Sequence, residues 1–90
     1  MTRYDENPEA AEAAIKEASV AIDKLDDELA IAKERAEEIE RQANEAKSPE
    51  EEAVALRRLA TIEQEIQDLS QDLTSAERYF GNVQEFWLES

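Results

Sequence analysis

The chain has 90 residues, of which 24 are acidic and 10 basic, with no His and no Cys and a formal net charge of −14. That inventory excludes His general bases, thiol nucleophiles, disulfides and zinc sites of the Cys/His type. So negative a surface also repels phosphate backbones and anionic lipid, which argues against direct nucleic-acid or membrane binding.

At this length one small domain is expected, near the size at which a single core barely offsets chain entropy. Residues 1–7 show no periodicity and read as an N-terminal arm. Met1-Thr2-Arg3-Tyr4-Asp5-Glu6 lacks the apolar stretch of a signal peptide, and no apolar run nears the ~18 residues of a membrane span, so a cytoplasmic protein is expected. Asn7-Pro8-Glu9 then has the grammar of a helix start. The Asn side chain accepts from an early backbone N–H, Pro lacks a donor that would be orphaned there, and Glu suits the positive end of the helix dipole. From there to Ala46 there is neither Gly nor a further Pro, and good helix formers dominate, predicting a first helix over about 8–46. No Gly closes it. Ser48-Pro49-Glu50, with Glu51 completing a capping-box pattern, predicts a second start, a turn at 47–48 and a second helix over about 49–87. A link that short forces the helices antiparallel. Gly81-Asn82 interrupts the second helix pattern, and Gly there costs about 1 kcal/mol relative to Ala. Apolar spacing nevertheless continues in register to Trp87, so a continuous helix is expected, with a kink or stop at Gly81 as the competing expectation.

The strongest signal is long-range. Ala11, Ile15, Ala18, Ile22, Leu25, Leu29, Ala32, Ala36, Ile39 and Ala43 alternate spacings of three and four, as do Ala55, Leu59, Ile62, Ile66, Leu69, Leu73, Ala76, Phe80, Val83 and Trp87. The two series are mirror images about Pro49. At 41% apolar composition, chance fills twenty specified positions with a probability of about 10⁻⁸. The fold class predicted is all-α: a two-helix antiparallel coiled-coil hairpin over residues 8–90, able to pair with itself or a partner in a larger bundle. Sizes compensate across the seam, with Ala32 and Ala36 opposite Ile66 and Ile62, Ala18 opposite Phe80, and Ala11 opposite Trp87. On the flanks Arg35 is expected to meet Glu65 and Lys33 to meet Glu63. Glu28 opposite Asp72 is repulsive, and Glu40 faces Leu56.

Function is read from what the seam leaves over. Asp23-x-x-Asp26-Asp27-Glu28 and Glu34-x-x-Glu37-Glu38 have spacings seen in metal ligands. They face away from the seam, so they read as solvated surface, and no metal or cofactor is expected. Two thin helices form no concave pocket, so no enzyme is expected either. Tyr79 and Phe86 fall on a flank opposite Ala21 and Ala14, Ile31 shares that side of the first helix, and Leu88 lies just beyond Trp87. One seam cannot bury all of these. Either Met1 and Tyr4 fold back over the aromatics, or Tyr79, Phe86, Leu88, Ala14, Ala21 and Ile31 form a binding face. The expected function is a non-enzymatic interaction module, an assembly factor or inhibitor, docking on a protein partner with a basic rim or on a second copy of itself. The alternative is an acidic nucleic-acid mimic using Glu63, Glu65, Asp68, Asp72 and Glu77, a stretch without Lys or Arg.

Overall fold

A computed structural model of the chain describes residues 1–89. Ser90, the last residue of the expected hairpin, lies outside the described residues. Three helices account for nearly all of the rest: α1 (Arg3–Glu6), α2 (Pro8–Asn44) and α3 (Pro49–Leu88). The fold is all-α, and α2 and α3 pack against each other as a helical hairpin. Among the described residues no helix is long and apolar enough to cross a membrane.

The helix ends show why the chain breaks where it does. Within the arm, Thr2 caps α1: its side chain accepts from the Asp5 N–H at 3.2 Å, and the Asp5 carboxylate accepts from the Thr2 N–H at 3.2 Å. The expected irregular arm therefore contains a single helical turn. Asn7 is the joint that follows, with φ −149° and ψ 75°. Its N–H donates to the Arg3 carbonyl at 3.1 Å, closing α1. Its side chain accepts from Ala10 N–H at 3.3 Å and its carbonyl from Ala11 N–H at 3.1 Å, opening α2 as the sequence grammar predicts.

At the other end α2 stops at Asn44, two residues short of the expected boundary. Glu45 N–H still reaches the Arg41 carbonyl at 3.0 Å, and Ala46 N–H bonds the Ala43 carbonyl at 3.4 Å, a tighter i to i−3 closure. No non-Gly residue described has positive φ, so the helix ends without a left-handed residue and needs no Gly. Ser48 then caps α3, its Oγ accepting from Glu51 N–H at 3.2 Å. The Glu51 carboxylate accepts from Lys47 N–H at 3.1 Å, one residue earlier than in a standard capping box. α3 passes through Gly81 unbroken, which resolves the competing expectations in favour of a continuous helix.

The chain divides into two compact units, Asp27–Gln71 around the turn and Met1–Asp26 with Asp72–Ser90 around the chain ends. In the turn unit, Ala32 and Ala55 are buried, and Leu29, Ala36, Ile39, Ala43, Leu59, Ile62, Ile66 and Leu69 are half-buried. In the chain-end unit, Ala11, Ala18 and Val83 are buried, and Ile15, Ile22, Leu25, Leu73, Ala76, Phe80 and Trp87 are half-buried. Every position of the two mirrored series is thus covered, as the heptad register requires. Full burial falls only to small residues: Ala11 is 0% exposed, while among the described residues no large side chain is completely enclosed. The cause is the two-helix seam itself. Small side chains sit between the backbones, whereas large ones reach out to the exposed flanks of the pair.

The flank charges do not zip the seam. Among the described residues the one ion pair joins Arg41 to Glu38, one turn apart on α2. The expected pairs Arg35 with Glu65 and Lys33 with Glu63 are not formed. All four side chains are exposed, where holding two long chains in one geometry costs about as much entropy as the contact returns.

Candidate interaction surface

Seven residues apart on one helix is two turns less about 20°, so side chains at that spacing share a face. Tyr79 and Phe86 stand in this relation on α3 and are 62% and 51% exposed. Ala14 and Ala21 stand in the same relation on α2, the first half-buried and the second exposed. All four belong to the chain-end unit, and the heptad register sets Ala14 opposite Phe86 and Ala21 opposite Tyr79. Small residues opposite two rings leave much of both rings exposed, which is the geometry of an apolar docking strip.

One residue expected in that face falls elsewhere. Leu88 is 48% exposed, but it is the last helical residue of α3 and lies about 180° around the helix from Tyr79. Ile31, 50% exposed, belongs to the turn unit. There it lines an open depression with Glu28, Ala32, Arg35, Glu65 and Leu69, so its flank is charged rather than aromatic. Exposed Val20 in the chain-end unit, and exposed Val54 and Leu56 in the turn unit, were not part of the expected face. Their signal was present as apolar residues outside the three-and-four spacing, and Leu56 opposite Glu40 showed it most clearly. Val54 lines a second open depression with Gln42, Glu50, Glu51, Ala55 and Arg58.

The arm does return to the aromatics, but with different residues from those expected. Met1 is 97% exposed and covers nothing. Tyr4 turns to α2, its hydroxyl donating to Glu12 Oε1 at 2.6 Å. That bond holds the Tyr4 phenol above its ordinary pKa of 10.0, since the hydrogen bond to Glu12 favours the protonated ring and the Glu12 charge opposes a phenolate. Arg3 reaches α3. Its guanidinium carbon sits 4.3 Å from the centroid of the Phe86 ring, and Nη1 donates to the Phe86 carbonyl oxygen at 3.0 Å. The last turn of α3 contains no basic residue, so Arg3 supplies the cation that its C-terminal carbonyls favour. Behind this contact, Phe86 and Trp87 meet edge to face at 5.1 Å and 87°. Sequence reasoning missed Arg3, and the one available signal was a lone cation in an arm otherwise acidic.

The acidic residues of the alternative reading are exposed, yet they do not make one strip. In the turn unit, Glu63 points about 160° away from Glu65 and about 140° from Asp68 around α3. In the chain-end unit, Asp72 and Glu77 are about 140° apart. Among the described residues no three carboxylates converge as a metal site would require.

The chain matches no protein-family model, no curated protein sequence and no solved structure.

Proposed function

We propose that the chain is a non-enzymatic, acidic helical-hairpin interaction module of the cytoplasm, docking on a protein partner through the flank that carries Tyr79 and Phe86. It would act as an assembly factor or inhibitor of a larger complex. The observation that carries this reading is that Tyr79 and Phe86, two turns apart on one face of α3, stay 62% and 51% exposed in a hairpin where no large described side chain is fully enclosed. A partner helix laid on that flank would cover the rings and complete a bundle. The net charge of −14 favours a partner whose rim is basic and opposes pairing of two identical chains.

The test is affinity capture from the native host with tagged wild-type chain and with a Tyr79→Ser, Phe86→Ser double variant, followed by mass measurement of the intact complex. Because both side chains are exposed, the variant should keep its helical circular dichroism and lose the captured partner. Undiminished capture by the variant rejects this flank. Capture that ignores the two rings but collapses at high salt would instead favour the nucleic-acid mimic, a reading weakened because Glu63 and Glu77 point away from their neighbouring carboxylates.

A further inference from the structure

The chain-end unit already holds one ligand, supplied by its own arm. Arg3 lies over the Phe86 ring at 4.3 Å and bonds the Phe86 carbonyl at 3.0 Å. Three features make that place a seat for a guanidinium. The ring presents a negative π face, on which the planar guanidinium stacks better than an ammonium does. The carbonyl belongs to the last turn of α3, where the helix dipole is negative and no residue of the helix supplies a positive charge. Glu85 directly precedes Phe86, Glu89 follows it by three residues, and both are exposed. The occupant is held lightly. Arg3 itself is exposed, α1 is one turn long, and Asn7 breaks the helix between the arm and α2. Phe86 remains 51% exposed beneath it.

We propose that Arg3 is a built-in stand-in for an arginine of the partner, so that the arm is a latch which the partner's guanidinium displaces from Phe86. This inference rests on the proposed docking flank and adds to it the chemistry of the partner: an arginine-bearing basic segment, selected over a lysine-bearing one. Displacement would free the ring while Tyr79 supplies apolar contact two turns away on the same face.

The experiment titrates hexa-arginine and hexa-lysine peptides into the full chain, read by fluorescence of Trp87. This is the only tryptophan, and its ring meets Phe86 at 5.1 Å. Arg3→Ala should tighten hexa-arginine by at least about three- to sixfold, the gain expected when a latch of no less than exposed cation–π strength is removed. Lys16→Ala changes the net charge equally from an exposed site on α2 and should give no such gain. Phe86→Leu keeps an apolar side chain but loses the π face, and should abolish the preference for arginine over lysine. Equal gains in Arg3→Ala and Lys16→Ala, or an arginine preference that survives Phe86→Leu, would overturn the latch. Partner capture separates the two readings. If Phe86→Leu retains the partner while the Tyr79, Phe86 double Ser variant loses it, the docking flank stands and the arginine seat falls.

Discussion

Gly81 is the residue whose local and long-range signals disagree. A glycine inside a helix carries an entropic cost of about 1 kcal/mol relative to Ala and commonly ends the element. Here it is helical, its φ is not positive, and a Cβ built on it would meet nothing within 4 Å. Neither close approach nor special backbone geometry requires glycine at this position. Gly81→Ala should therefore raise stability by about 0.5–1 kcal/mol, seen as a higher urea midpoint with an unchanged slope. A lower midpoint would mean that α3 needs to flex at this position. The register decided the matter in the sequence too, because Val83 and Trp87 lie beyond Gly81 in the same spacing and are covered. Arg3 is the opposite case. Nothing near it in sequence marks it as a contact of Phe86, since the two are 83 residues apart and meet only once α2 and α3 have folded back.

At the scale of the element, the helices start on strong signals and stop on weak ones. Both long helices open where a polar side chain accepts from the backbone immediately before a proline. Ser48 closes the connection between α2 and α3, so Ser48→Ala should cost about 1 kcal/mol by leaving the Glu51 N–H without its acceptor. Chemical denaturation measures this, and a loss under about 0.3 kcal/mol would show that the Glu51 carboxylate and solvent suffice for the turn. The end of α2 was harder to place because closure falls to backbone bonds from Glu45 and Ala46, which leave no side-chain signature. The single turn α1 was missed for a related reason. Thr2 and Asp5 have the spacing of a capping box, but four residues are too few to show periodicity and far too few to be helical without an anchor. Tyr4 on Glu12 and Arg3 on Phe86 provide that anchor.

For the molecule as a whole, charge opposes compaction. The chain carries −14, and its one described ion pair lies within a turn of α2, so little attraction between helices offsets the repulsion among exposed carboxylates. Added salt that screens without binding should consequently raise the melting temperature, the largest change coming between low and physiological ionic strength as the Debye length shortens to about 8 Å. A melting temperature that falls over that range would show that attractive pairs, not repulsion, dominate. The same charge shapes recognition. It favours a basic partner and leaves contact specificity to the few uncharged, exposed side chains, of which Tyr79 and Phe86 are the largest on one face.

The hairpin was readable because its information is periodic and redundant: twenty apolar positions mirrored about one proline leave a single register in which they can all be covered. Part of the candidate surface was readable by the same logic, since Tyr79 and Phe86 are apolar residues the seam has no use for. What only the tertiary structure decided is which leftovers belong together and what lies over them. Leu88 left the face because helical angle separates it from the rings, and Arg3 joined it through a cation–π contact that no spacing rule encodes. Burial along a helix repeats every few residues and can be read from one chain, whereas a contact between an arm and a helix end depends on where folding brings two distant points of that chain together.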